Sequence, residues 1–280
     1  MRSFLIQVVL FIGLSLCIIL PIELYKMGHI VPSEQIDPEV YYAINNSMQR
    51  HSKCTYLLIG DSVGMQLYPC TGLYSNMVSL TCNQAVMLAG HYFMLHNYFE
   101  QNSDSLPDEV ILIYSPQSFS NNTDKYSFHY FLKPFYTKRY KKLYTKSLWN
   151  AIKSIPFYWL SQFPFVKASG WSVDYQPSPD KPYDMLSPVS SDYLKLILSL
   201  LKDNNVGFRI IAPPLSEINE SRFEQDWQRG LNNGEFVGLE EEMIDYHKTF
   251  HYWPDSLFKD HTHLLSEYIP KDYLALENEE

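Results

Sequence analysis

The chain has 280 residues, 46% of them hydrophobic and 19% charged, which is enough apolar material for a packed core and excludes global disorder. A net charge of −9 at pH 7, without a long basic run, excludes a protein that works by neutralising nucleic-acid phosphates. The length suits one large domain or two small ones.

In chain order, the first element is an apolar run from Phe4 to Ile22, interrupted only by Gln7, Gly13, Ser15 and Pro21. A helix of that length spans a bilayer core. Arg2 and the free amino group precede it and favour a cytoplasmic amino terminus, although Lys26 follows closely. The competing reading is a cleaved signal peptide. Pro21, Glu23 and Leu24 stand where a small-x-small cleavage site would be, and Leu16 before Cys17 argues against a lipoprotein. The reading adopted is a transmembrane signal anchor over residues 1–25. No second apolar run of that length follows, so the bulk of the chain is expected in the periplasm or otherwise outside the cytoplasm. Residues 26–52, with Pro32 and Pro38, read as a stalk.

A strand is predicted over residues 55–60, then a short helix at Met65–Tyr68 that Pro69 breaks. Ser79–Asn83 reads as a short strand, and His91–Gln101 as an amphipathic helix. Asp108–Tyr114 is a continuous apolar strand of the kind buried on both faces of a parallel sheet. It leads into a polar loop from Ser115 to Asn122. Residues 123–185, rich in Tyr, Lys and Pro, read as an insertion or lid. Within them Lys138-Arg139-Tyr140-Lys141-Lys142 is a basic patch, either a solvated face or one that meets an anionic glycan or lipid headgroup. Residues 190–204 are a helix, Gly207–Pro214 a strand with its exit loop, and a helix-rich charged segment runs to about residue 250. Strands alternating with helices imply an α/β fold with a mostly parallel sheet.

Export permits disulfides. Cys70 and Cys82, separated by a short turn-rich stretch, are the expected pair; Cys54 is expected to pack at the start of a strand, and Cys17 lies in the apolar run. No CxxC or HExxH pattern is present, and His261 and His263 lack further ligands, so neither metal nor cofactor is expected. The aromatic content, with 22 Tyr and 5 Trp, fits ordinary packing and a sugar-stacking cleft equally.

Two motifs carry chemistry. Gly60-Asp61-Ser62-Val63-Gly64 follows the first strand and presents a serine at a tight turn. Asp260-His261-Thr262-His263 stands near the carboxyl terminus. Serine, aspartate and histidine are what an acyl-transferring nucleophile needs. The first motif also fits the G-x-S-x-G elbow of α/β-hydrolases. Its place on the first strand, and an acid three residues before a histidine at the far end, instead resemble the SGNH (GDSL-like) hydrolase superfamily.

That resemblance covers residues from about 54 to 270 and implies a three-layer α/β sandwich around a central, mostly parallel, flavodoxin-like sheet. The domain is taken as 53–280. The resemblance implies Ser62 as nucleophile, His263 as the base and Asp260 as its orienting partner. His261 is the rival base, but only His263 has the family's spacing to Asp260. Asp61 is expected to order the turn rather than take part in chemistry. The family's oxyanion hole uses the N–H of the nucleophile, a second-block glycine and a third-block asparagine. Ser62 and Gly90 match the first two. The family's Gly-x-Asn-Asp is absent, and Gln117, Ser118 or Asn121 would have to serve.

This departure, with the amino-terminal anchor, resembles membrane-anchored SGNH-like proteins of bacterial polymer acylation. These include the D-alanine transfer protein of teichoic-acid modification and exopolysaccharide acetyltransferases. The implied partners are the membrane, a membrane-bound O-acyltransferase, and a glycan or polymer substrate. The implied activity is O-acyl transfer through Ser62. A polysaccharide acetyl esterase, and a non-catalytic domain that binds polymer or scaffolds an acyltransferase, remain as alternatives.

Overall fold

The apolar runs found in the sequence become strands that meet in one parallel sheet. The computed structural model describes residues 2–28, 38–83, 86–121, 132–154 and 185–277. Helix α1 (Arg2–Gly28) comes first, and its segment Ser3–Pro21 is long and apolar enough to cross a membrane, with a mean hydropathy of 2.7. A signal sequence near an amino terminus has the same character. There follow α2 (Pro38–Ser47), β1 (Tyr56–Gly60), α3 (Ser62–Leu67), β2 (Met77–Ser79), α4 (Met87–Gln101) and β3 (Glu109–Ile113). Next are α5 (Lys138–Lys141), α6 (Lys146–Ser154), α7 (Pro188–Asp203) and β4 (Gly207–Ile211). The chain closes with β5 (Leu215–Ser216), α8 (Glu220–Asn232), α9 (Glu240–Lys248), β6 (Tyr252–Trp253) and α10 (Tyr273–Glu277).

The four-stranded sheet has the order β2-β1-β3-β4, parallel throughout, with Leu57 opposite Val110 and Leu112 opposite Ile210. A separate pair joins β5 to β6. Side chains alternate across the sheet. Leu57, Ile59, Val110, Leu112 and Ile210 face the main core, built with α2, α4, α7 and α9. Leu58, Ile111, Ile113 and Ile211 face a smaller cluster with Leu67, Tyr68, Tyr273 and Leu274. Both faces are therefore dry, which is why the strand sequences show no polar alternation. Each such buried side chain stabilises the fold by about 1.5–3 kcal/mol.

Three expectations are corrected. The stalk ends before residue 38, because Val40, Ala43, Ile44 and Ser47 of α2 are buried against the main core. A mixed-polarity segment behind a proline looked like linker because its apolar residues are too few to show a period. The described part of the supposed insertion, 132–154, is core as well: Phe135, Tyr140, Leu148 and Ile152 are buried among the residues that pack on α4. The rest of that segment lies outside the described residues. Cys70 and Cys82 are not joined: Cys82 is buried, while Cys70 is half-exposed with its Sγ 3.8 Å from the Glu39 carbonyl oxygen.

Candidate active site

The site grows from the carboxyl end of β1. Gly60 and Gly64 pass so close to β3 that a Cβ would lie 2.4 Å and 2.9 Å from the Ile113 carbonyl oxygen. Only glycine permits that approach, which explains both glycines of the motif. The Asp61 N–H bonds the same carbonyl at 3.2 Å, so the turn is locked onto β3.

Asp61 then caps α3. Its Oδ1 accepts from the N–H groups of Val63 (3.0 Å) and Gly64 (3.3 Å). Its Oδ2 accepts from the Ser115 N–H (2.8 Å) and the Ser118 Oγ–H (2.7 Å). The residue is 1% exposed, and four donors surround its carboxylate. A buried charge needs that degree of satisfaction. Asp61 thus ties the ends of β1 and β3 together at the point where the strand order reverses, the place where open α/β sheets bind ligands.

Ser62 is the first residue of α3, and its Oγ lies 3.0 Å from His263 Nε2. On the other side of that ring, His263 Nδ1 lies 3.0 Å and 3.1 Å from the two Asp260 carboxylate oxygens. A carboxylate only accepts, so Nδ1 carries the hydrogen and Nε2 is left to accept from Ser62. The three residues, brought together from both ends of the chain, form one hydrogen-bonded row.

The loop that bears the histidine is shaped by the same aspartate. Asp260 Oδ1 also accepts from the N–H groups of His263 (2.8 Å) and Thr262 (3.2 Å). Phe258 and Leu264 pair across the loop, and the Lys259 N–H reaches the His263 carbonyl at 2.7 Å. Desolvation pushes the Asp260 carboxyl up, but the backbone and side-chain hydrogen bonds from His263 outweigh it, and the group rests below the usual carboxylate range. The Asp260 side chain is 51% exposed and that of His263 32%, so water reaches the row.

Sequence reasoning passed over Gln66. Its Nε2–H donates to the Leu264 carbonyl at 2.8 Å, and its Oε1 accepts from the Leu264 N–H at 3.0 Å. This side chain clips the histidine loop onto the helix that carries the nucleophile. Gln66 stands four residues after Ser62, hence on the same helix face, and that spacing was the available signal.

His261, the rival base, turns elsewhere: its Nδ1 is 2.6 Å from Asp255 Oδ1, an atom that also accepts from Ser216 Oγ–H at 2.6 Å. Its backbone has φ 60°, and its carbonyl accepts from Asn219 Nδ2–H at 2.8 Å. The Asp255 carboxyl is held below its ordinary value by the hydrogen bonds from Ser216 and His261.

The expected oxyanion donors separate. The Ser62 N–H stands ahead of the helix ladder, and among the described residues no bond engages it. Gly90 requires correction. It is the fourth residue of α4, where its N–H belongs to the helix ladder, and a Cβ there would meet Val86 and Phe135, so its small size serves packing. Earlier in this part of the chain, the Cys82 N–H bonds the Gly60 carbonyl at 3.0 Å. Ser118 is committed to Asp61. Asn121 is buried; its carbonyl accepts from Ser187 Oγ–H at 2.8 Å, and its side chain lies beside the Tyr114 hydroxyl. Gln117 stays at the site. Its Nε2–H donates to Thr262 Oγ1 at 3.4 Å, and its Oε1 accepts from Arg222 at 3.2 Å. It lines a cavity of about 10 Å3 with Ser115, Ser216, His261 and Thr262, room for one water. Among the described residues no cluster of His, Cys, Asp and Glu could hold a metal ion.

Comparison of the chain with protein-family models, with curated proteins and with solved structures finds no match in any of the three.

Proposed function

We propose that the protein is a membrane-anchored, SGNH-like serine acyl-ester enzyme that transfers an acyl group to a hydroxyl of an exported or cell-surface polysaccharide. The observation that carries the reading is the Ser62–His263–Asp260 row at the carboxyl end of β1. The sheet order β2-β1-β3-β4 supports it, because it follows the flavodoxin-like order as far as the sheet extends, and a three-layer SGNH-like sandwich is built on that order. The apolar α1 supports a single-pass anchor with the catalytic domain outside the cytoplasm.

The steps follow from the protonation pattern. His263 Nε2 takes the proton of Ser62 Oγ as that oxygen attacks the acyl carbonyl. The Ser62 N–H faces the developing oxyanion, a contribution that single donors elsewhere make at about 10²–10³ in rate. The imidazolium, steadied by ionised Asp260, gives its proton to the leaving group, and an acyl-Ser62 ester remains. An acceptor hydroxyl then gives its proton to His263, attacks the ester and regenerates Ser62 Oγ–H. A membrane-bound O-acyltransferase would supply the acyl group, and a glycan would accept it.

A second reading, an acetyl esterase with water as acceptor, is favoured by one observation, the exposure of Asp260 and His263 to solvent. The two are distinguished by offering an aryl acetate with and without an oligosaccharide acceptor. Acetyl-oligosaccharide is the expected product; acetate alone assigns the esterase. Ser62→Ala is expected to lower either activity by about 10³-fold or more, and full activity in that variant contradicts both readings.

A further inference from the structure

The positive charge of this acidic chain is concentrated in one place. Seven Lys and Arg and no Asp or Glu fall between residues 133 and 153, in a chain of net charge −9. The helices α5 and α6 turn most of these outward. Lys138, Arg139, Lys141 and Lys142 are exposed around buried Tyr140, whose hydroxyl is fixed by Asn97 Nδ2–H at 2.9 Å. On α6, Lys146 and Lys153 are exposed while Leu148 and Ile152 are buried. Two acids of neighbouring elements bond here: Glu100 of α4 pairs with Arg139 at 3.0 Å and lies 4.0 Å from Lys142, and Asp192 of α7 accepts from Ser147 at 2.5 Å. Arg139 and Lys142 share one carboxylate, so positive charge is left over at that pair.

The position of this face matters as much as its charge. Helix α1 contacts α5, and its segment Ser3–Pro21 is uncovered by the rest of the chain. The basic face therefore lies where the membrane-length helix meets the folded part. Its α5 part is also at the end remote from Ser62, whereas α6 begins nearer the catalytic end, where Ser147 bonds Asp192 in the second turn of α7. Helix α4 starts near the carboxyl ends of the strands and ends at Gln101; the next residue, Asn102, accepts from the His51 N–H at 2.6 Å, just before β1 begins. Thr55 there accepts from Asp108 and Glu109, at the amino ends of β1 and β3. Glu100 and the cations on it thus stand about 20 Å along α4 from its first residue, which lies toward the catalytic end.

We propose that the exposed face of α5 and the following Lys142 docks on anionic lipid headgroups of the membrane that α1 spans. The docked domain stands with the Ser62 end turned away from the bilayer. The distance argues for lipid over an anionic glycan substrate, since a sugar held on this face leaves its hydroxyls far from Ser62. The proposal presupposes that α1 is retained as an anchor and is independent of the catalytic reading. It carries one consequence for that reading: an acyl donor buried in the lipid would not reach Ser62 unaided, so a partner that rises from the membrane has to deliver it. Each Lys near such a surface strengthens attachment by about fivefold, and the attraction dies within roughly a Debye length.

The test uses the full chain, with α1 present, in nanodiscs of phosphatidylcholine alone or with 30% phosphatidylglycerol. Amide hydrogen exchange is followed for peptides covering residues 133–154. The expected result is at least fivefold slower exchange in the anionic discs, lost in about 0.5 M salt, where screening is short-ranged. The variant Lys138→Glu/Lys142→Glu is expected to lose the effect, and Lys138→Gln/Lys142→Gln most of it, with thermal unfolding unchanged in both. Equal exchange in the two kinds of disc overturns the proposal. Protection that appears only when a soluble anionic polysaccharide is added to phosphatidylcholine discs also overturns it, and reassigns the face to a glycan.

Discussion

Asp61 and Asp260 are the two carboxylates of the site, and their surroundings are opposite. Asp61 is 1% exposed and takes four hydrogen bonds from the ends of two strands and a helix. Asp260 is half-exposed and, among the described residues, binds only within its own loop, to Thr262 and His263. Ser62 therefore takes its position from the sheet, whereas His263 is held by a surface loop, its own aspartate and the Gln66 clip. On the proposed reading, a fixed serine beside a base on a looser mount suits an acceptor that enters after the first step. It also separates two kinds of failure, loss of fold and loss of chemistry.

The largest effect is expected at the base. His263→Ala should lower acyl transfer by about 10³-fold or more, with a thermal midpoint within a few degrees of the parent, read by turnover and calorimetry on one preparation. Next comes the contrast between the aspartates. Asp260→Ala should cost about 10²–10⁴-fold in kcat, as loss of the orienting carboxylate does in related triads, and change stability little. Asp61→Ala should do the reverse, removing about 3 kcal/mol or more of stability because buried donors lose their acceptor, seen as a lower denaturant midpoint. Equal stability losses at the two positions would break the contrast. A smaller effect is expected for Gln66→Ala, about tenfold in kcat with KM unchanged, and about 1 kcal/mol in stability for its two hydrogen bonds. A matching fall in kcat/KM caused wholly by KM would show that Gln66 touches substrate instead of positioning the loop.

Two further expectations concern pH. Asp260 has a folded-state pKa below its unfolded value, so its stabilising contribution is complete above about pH 3.9 and is lost as pH falls through the lower folded value. Its exposure keeps that contribution small. Buried His91 shifts the same way for a different reason. Burial pushes it down to about 3, and neither ring nitrogen has a partner among the described residues. The unfolded chain takes up a proton near pH 6.5 that the folded one refuses, so stability should fall from about pH 6.5 to pH 3, with a slope of up to about 1.4 kcal/mol per unit. His91→Phe, which keeps the edge contact with Tyr114, should flatten that slope in denaturant titrations at several pH values.

The parallel sheet was legible because β1, β3 and β4 are short apolar runs spaced by helical pattern. Helix α7 was legible from its apolar residues between Tyr193 and Leu201 and the Asn204 stop, but it starts two residues earlier than expected, opened by Pro188 and capped by Ser187 Oγ, which accepts from the Ser190 N–H at 3.1 Å. The role of Asp61 in ordering the turn could be read because an aspartate before a helix start is a capping residue. The contribution of α2 could not, since a ten-residue helix with four buried positions leaves too weak a period. The separation of Gly90 from the oxyanion position was hidden for a related reason: sequence spacing does not tell a glycine inside a helix from one before it, and α4 begins three residues earlier than Gly90. The Gln66 clip depends on a contact across 198 residues, which no local pattern carries.

The most direct measurement is labelling by a fluorophosphonate probe, read by peptide mass spectrometry on the parent, Ser62→Ala and His263→Ala proteins. A phosphonylated Ser62 in the parent, absent in Ser62→Ala and slowed by about 10²-fold or more in His263→Ala, is the expected outcome. A parent protein that stays unlabelled at Ser62, or that labels as fast without His263, would contradict a nucleophilic serine driven by this histidine.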